Sequence, residues 1–92
     1  MSSILKIKDS VGTTTFVQNP NKQADEQPTS DQHIAKAGNF YPVNNVDRGS
    51  SDSYNGHWKV EFTSPLRTED GTTTIENWYV FRDDVEEYRL VP

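Results

Sequence analysis

The chain has 92 residues, a formal net charge of −5 and an apolar fraction of 32%, which predicts one small acidic domain with a modest core. Two Trp, four Tyr and four Phe argue against disorder. The lack of cysteine excludes a disulfide framework and a cysteine-ligated zinc. The acidic charge disfavours nucleic acid as a partner, and no apolar run is long enough for a membrane-spanning helix.

Short runs rich in apolar and β-branched residues predict an all-β fold, because no segment carries the apolar stripe of an amphipathic helix. The first two runs, ILKIK at 4–8 and TTTFV at 13–17, are joined by a turn. A polar stretch without periodicity follows at 18–32 and predicts a long loop that is functional or mobile.

Two further strands are predicted at 33–37 and 40–46. Pro42 cannot donate a ladder hydrogen bond, so the second of these lies at an edge or starts after the proline. A polar loop over 47–56 then ends in Asn55-Gly56, a strong tight-turn signal.

The segment HWKVEF at 57–62 alternates strictly, which predicts a half-buried strand with Trp58 on the core face and His57 towards solvent. The Asp70-Gly71 turn predicts a hairpin that places HWKVEF antiparallel to TIENWYVF, residues 74–81.

The stretch WYVF at 78–81 is apolar on both faces, so this strand is covered on both sides, or one face lies in the core and the other under a loop. RDDV at 82–85 predicts a 3₁₀ turn in which Asp83 and Asp84 favour exposed N–H groups. A last strand continues through Leu90. We therefore predict a single domain over 1–92, a small barrel of five or six short antiparallel strands, since closure removes exposed edges.

Several short pieces of the chain resemble bacterial SH3-like domains of the kind found beside peptidoglycan hydrolases in cyanobacteria and their phages. The matching pieces are LKI at 5–7, AKAG at 35–38 leading to YPV at 41–43, HWKV at 57–60, and WYVF at 78–81 with Val85-Glu86 behind it. The resemblance implies a non-catalytic SH3-like barrel that binds a protein or cell-wall partner. The acidic-aromatic opening motif of eukaryotic SH3 domains is missing, so recognition of proline-rich ligands is not carried over.

Two roles follow from that resemblance. In the first, the chain docks onto a larger protein assembly, namely a phage virion, as a decoration, tail or adaptor subunit beside capsid or tail proteins. In the second, it is a cell-wall binding module that recognises peptidoglycan for a hydrolase. The opening MSSILKIKDS lacks the features of a signal peptide, which favours the first role and a virion or cytoplasmic location. A homo-oligomer is left open, because a monomer suggests a docking subunit and a ring or trimer suggests a collar.

The sequence predicts no enzyme, no cofactor and no metal site. Its two histidines, His33 and His57, are far apart along the chain. Glu86 and Glu87 are neighbours in a strand and point to opposite faces, so they cannot share a proton. Catalysis would require a paired acid and base or an activated nucleophile in one pocket.

Aromatic side chains are the better functional candidates, because an exposed aromatic cluster beside a polar loop is typical of a binding face. Tyr54 is the first choice, since it lies in a loop of otherwise small and polar residues. The other predicted partner-binding residues are Tyr41, Trp78, Tyr79 and His57. The alternative is that these rings only cover the ends of the barrel.

Overall fold

The computed structural model describes residues 3–50 and 53–89. All strands in these ranges belong to one antiparallel sheet in the order β3-β2-β6-β5-β4-β1-β7. The strands are β1 (Ser3–Ile7), β2 (Thr13–Val17), β3 (Gln32–Lys36), β4 (Phe40–Asp47), β5 (His57–Arg67), β6 (Thr74–Phe81) and β7 (Val85–Arg89). Four 3₁₀ turns accompany them, at Asp9–Val11, Ala24–Glu26, Thr29–Asp31 and Arg82–Asp84.

The all-β prediction is confirmed, but the predicted strand count of five or six is too low, because seven strands form within residues 3–50 and 53–89. β5 also runs beyond its predicted end at Phe62, since pairing with β6 resumes at Leu66 after a register shift. The hydrogen-bonded sheet does not close into a barrel, because β3 and β7 remain its two ends. The predicted loop at 18–32 is shorter by one residue and contains two 3₁₀ turns.

Period-two placement of side chains builds the core. In β6, Trp78 and Val80 are both fully buried, and they lie opposite Val60 and Trp58 of β5. Trp58 itself is only half-buried and packs at the margin of the core. The core cluster consists of Leu5, Ile7, Phe16, Ala35, Val43, Val60, Phe62, Trp78, Val80 and Val85.

The predicted hairpin between β5 and β6 is confirmed by the pairing of Val60 with Trp78. Its turn is fixed by Asp70, whose carboxylate accepts hydrogen bonds from the Thr68 and Thr72 hydroxyls at 2.7 and 2.8 Å. Pro42 lies inside β4 where only β1 pairs with it, because the β4–β5 pairing begins at Val43. The prediction that this strand lies at an edge or starts after the proline is wrong, because β4 begins at Phe40 and lies between β1 and β5. The bond from the Ile7 N–H to the Asn39 carbonyl makes Ile4 and Pro42 a non-hydrogen-bonded pair, so the proline costs no bond to β1.

The predicted 3₁₀ turn before the last strand is confirmed at Arg82–Asp84, and Asp83 and Asp84 lie in its first turn as predicted. The Asp84 carboxylate accepts a hydrogen bond from the Thr14 hydroxyl at 2.8 Å, and its carbonyl accepts the Lys8 N–H at 2.9 Å. These bonds tie the corner to β2 and to the end of β1. Within the described residues the last strand ends at Arg89, and Leu90 lies outside them.

Candidate functional site

A groove of about 780 Å³ opens beside β2. Its walls are β2, the loop that follows β2, the segment entering β5, and the corner after β6. The lining residues are Thr13, Thr14, Thr15, Val17, Pro20, Asn21, Lys22, Gln23, Ala24, Glu26, Asn55, His57, Phe81 and Asp84. Both signs of charge are present in this lining, so the groove is not a simple anion or cation site.

One wall of the groove is an incompletely paired strand. The hydrogen bonds from Ala37 N–H to Gly12 O and from Gln18 N–H to Asp31 O set the β2–β3 ladder. Because bonded positions alternate in an antiparallel pair, Thr14 and Phe16 bond to β3. The backbone groups of Thr13, Thr15 and Val17 consequently point to the other side, towards β6.

Of these three residues, only Val17 pairs with β6. Val17 pairs with Tyr79, and this is the single β2–β6 register pair. Beyond Phe81 the chain turns away at the 3₁₀ corner, so the ladder stops. In that register Thr15 lies opposite Phe81 and Thr13 lies opposite Asp83 in the 3₁₀ corner, and within the described residues neither threonine forms a register pair with β6. Both threonines line the groove.

The aromatic wall is formed by His57 and Phe81, which are cross-strand partners. Their ring centroids are 5.4 Å apart in an edge-to-face arrangement, and Phe81 is 38% exposed. His57 Nδ1 donates to the Asn55 carbonyl at 2.9 Å, so in the neutral ring Nε2 is an acceptor. Gly56 lies directly beneath, with φ at +79°, where a Cβ would come to 3.2 Å from the Phe81 ring. The close approach of this ring therefore requires glycine.

The loop wall is held in shape by Gln27, whose side chain is buried. Its Nε2 donates to the carbonyls of Asn19 and Lys22 at 3.0 and 3.1 Å, and its Oε1 accepts the Asn19 N–H at 3.1 Å. Asn55 Nδ2 donates to the Pro20 carbonyl at 3.0 Å and ties this loop to the opposite wall. The groove is thus a built feature with two anchored sides.

Next to the groove, Tyr54 packs edge-to-face on Tyr79 with a centroid distance of 5.3 Å. The Tyr54 hydroxyl donates to Asp47 Oδ2 at 2.8 Å, and Asp47 Oδ1 accepts the Gly49 N–H at 2.9 Å. The Gly49 N–H and the Tyr54 hydroxyl lower the pKa of Asp47, and the Asp47 carboxylate raises the pKa of Tyr54. Tyr54 is half-buried and organises the loop before β5, while Tyr79 lies between the neighbouring strands.

The predicted site residues fall into two groups. His57 and Phe81 line the groove, and Tyr54 and Tyr79 form a second ring pair outside its lining. Tyr79 and Phe81 are two residues apart in β6 and lie on the same face, so we call these four rings the outer aromatic row. Trp78 is fully buried in the core, so its indole offers no surface to a partner.

Tyr41 is half-buried on the core side and packs against Phe16 and Phe62 at centroid distances of 5.8 and 5.7 Å. His33 lies beside it at 6.3 Å, and its Nδ1 donates to the Arg67 carbonyl at 2.7 Å. This inner aromatic cluster, with Trp78, covers the core instead of facing the groove, which agrees with the alternative that some rings cover an end of the fold.

The described residues contain no group of three or more His, Cys, Asp or Glu side chains placed to hold a metal ion. Across residues 3–50 and 53–89 there is also no helix of the length and apolarity that a membrane crossing requires. No family model matches the chain, no curated protein matches it, and no solved structure matches it.

The sequence interpretation did not include Thr13, Thr15 and Phe81 among the site residues. The sequence did contain an indication for Phe81. WYVF is apolar on both faces of the strand, so an apolar side chain was expected on the face that does not pack in the core. The role of Thr13 and Thr15 depends on where β6 leaves β2, and that register is set by contacts distant in sequence.

Proposed function

We propose that this chain is a non-enzymatic SH3-like interaction module that docks onto a protein partner in a larger assembly, with a phage virion as that assembly. The observation that carries the proposal is the incompletely paired edge of β2 inside an aromatic-walled groove. An exposed edge of this kind is a template on which an extended segment of another protein can add as a strand.

The strand order supports the SH3-like part of the proposal. β4, β5 and β6 form an antiparallel meander, and β1 joins β4 to β7. A single 3₁₀ turn separates β6 from β7, as expected for the end of a small SH3-like barrel. The β2–β3 hairpin is inserted between β1 and β4 and supplies one wall of the groove.

The dimensions of the edge define the ligand. Thr13 and Thr15 each present one N–H and one carbonyl, so a segment of about three to five residues satisfies them at about 3.4 Å per residue. The outer aromatic row favours one apolar or aromatic side chain in that segment, packed on Phe81. Lys22 on one wall and Asp84 on the other favour a segment that is not strongly charged.

The test is selection of binders from a displayed library of random 12-residue peptides on the immobilised chain, followed by titration of the selected peptides. Thr15→Pro removes the N–H that faces the groove, while the bonds to β3 come from Thr14 and Phe16. We expect this variant to lose the selected peptides. Thr15→Ala keeps the N–H and loses only the hydroxyl, so it is the matched control and retains binding.

Both variants are first compared with the parent chain by thermal melting, so that lost binding is not mistaken for lost folding. Equal binding by the proline and alanine variants would contradict strand addition at β2. Binding of purified peptidoglycan sacculi, with no peptide selected, would overturn the protein-docking role in favour of the cell-wall role.

A further inference from the structure

The two ends of the sheet are finished differently. At β3, the Ile34 N–H donates to Glu69 Oε1 at 2.7 Å, and the Glu69 N–H donates to the Gln32 carbonyl at 2.9 Å. Gln32 and Ile34 are the positions whose backbone groups face away from β2. Glu69 therefore occupies the edge of β3 and blocks addition of another strand there.

The other end, β7, has no such cover in the described residues. The bond from Lys8 N–H to the Asp84 carbonyl sets the β1–β7 ladder, so Glu86 and Tyr88 bond to β1. The backbone groups of Val85, Glu87 and Arg89 then face outwards. Within residues 3–50 and 53–89, no backbone hydrogen bond is formed by these three residues on that side.

Charge along β7 selects the direction in which a second strand can pair. Glu86 and Glu87 lie in its first half and Arg89 lies at its end. An antiparallel copy of the same strand sets the acidic half of each strand beside the basic end of the other, whereas a parallel copy aligns like charges. The charged side chains of β7 therefore match those of a second β7 related by a two-fold axis.

We propose that β7 pairs with β7 of a second copy of this chain to form a symmetric dimer with a continuous sheet. With the two-fold axis at Tyr88, Glu87 pairs with Arg89 of the second copy, and the two Tyr88 rings are cross-strand neighbours. A register centred on Glu87 places two carboxylates opposite each other and is disfavoured. The proposal is independent of the groove, because it uses neither β2 nor the outer aromatic row.

The residues around β7 are consistent with a second copy of the chain at this edge. Tyr88 is 47% exposed, and Phe40, on the same face two strands away, is 61% exposed. The Glu87 carboxylate is held by Arg48, and the Glu87 side chain is only 8% exposed. Arg89 of the second copy adds a cation to that pair.

Sedimentation velocity from about 10 µM to about 1 mM tests the proposal, since weak dimers dissociate in this range. We expect a monomer–dimer equilibrium whose dissociation constant rises at least about tenfold in Tyr88→Arg, which sets two cations at the axis. Ile34→Arg is the matched control, because Ile34 is 46% exposed on the blocked edge. It leaves the dissociation constant unchanged.

The cysteine-free chain allows a direct test of the register. In the proposed dimer the two Tyr88 Cα atoms form a non-hydrogen-bonded pair about 4.5 Å apart, within the range of a disulfide. Tyr88→Cys should cross-link with oxidised glutathione, and Glu86→Cys should not. A chain that stays monomeric throughout the range, or a dimer that survives Tyr88→Arg or fails to cross-link through Tyr88→Cys, would overturn the proposal. Thr15→Pro leaves the dimer intact, so failure of dimerisation and failure of groove binding are distinguishable.

Discussion

The inner aromatic cluster and the outer aromatic row contain similar residues, and both include residues of β6, but they differ in what they contact. In β6, Trp78 points into the core and is fully buried, whereas Phe81 points outwards and is 38% exposed. Tyr41 and His33 of the inner cluster pack on Phe16. His57 and Phe81 of the outer row line a groove beside an incompletely paired strand. Aromatic content alone therefore does not identify a binding residue in this chain, since the direction of each side chain decides its role.

The largest effect is expected from the inner cluster. Trp78→Ala removes a fully buried indole and its hydrogen bond to the Ile75 carbonyl, so we expect a loss of about 3–5 kcal/mol in the free energy of unfolding. Urea denaturation measures this loss. Trp58→Ala is the control, because Trp58 is only half-buried and should lose clearly less. Equal losses in the two variants would contradict the placement of Trp78 in the core and of Trp58 at its margin.

The loop wall should give the next largest effect. Gln27→Ala leaves the Asn19 N–H and the carbonyls of Asn19 and Lys22 without their partner, and we expect about 1–3 kcal/mol of destabilisation. Amide exchange should become faster in residues 18–31 and remain slow in β5 and β6. Gln23→Ala, at an exposed position in the same loop, should change both quantities less. Unaltered exchange of the loop in Gln27→Ala would contradict the anchoring role.

The outer row should affect binding more than stability. Phe81→Ala removes an exposed ring from the groove, so we expect the free energy of unfolding to change by less than about 1 kcal/mol. The affinity for peptides selected on the groove should fall by about tenfold or more, measured by calorimetry. Tyr88→Ala removes a ring that is also exposed but lies outside the groove lining, and it should leave peptide affinity unchanged. A similar loss of peptide affinity in both variants would show that Phe81 is not part of the peptide-binding site.

The smallest effect concerns the Tyr54–Asp47 hydrogen bond. Because folding lowers the pKa of Asp47 below its ordinary value of 3.8, its ionised form stabilises the fold above that pH, and this contribution is lost as pH falls through the folded-state pKa. Tyr54→Phe should raise the Asp47 pKa only part of the way, since the Gly49 N–H remains. Side-chain NMR titration measures the change. Asp70, lowered by Thr68 and Thr72, is the internal control, and a shift in its pKa would point to a general disturbance.

Much of the strand layout could be predicted from the sequence, because alternation and turn signals are local. TTTFV gave β2 with its correct bounds, Asp70-Gly71 placed the hairpin, and RDDV placed the 3₁₀ corner. The number of strands and the openness of the sheet depend on registers between distant segments, as in the single Val17–Tyr79 pair. The order of the 18–31 loop depends on burial of Gln27, and glutamine is mostly exposed in proteins, so no local signal predicts it.

Only part of the candidate site could be predicted. Of the predicted aromatic candidates, His57 lines the groove, and Tyr54 and Tyr79 form a ring pair outside its lining. Trp78 was also predicted to bind a partner but lies in the core, because both faces of WYVF are apolar and the sequence does not show which face is buried there.

Amide hydrogen exchange along β2 tests the incompletely paired edge most directly. In the isolated chain we expect slow exchange at Thr14 and Phe16, which bond to β3, and fast exchange at Thr13 and Thr15, which face the groove. A selected peptide should slow Thr13 and Thr15 and leave the other two unchanged. Uniformly slow exchange along β2 without a peptide, or no slowing of Thr13 and Thr15 with one, would contradict docking at this edge.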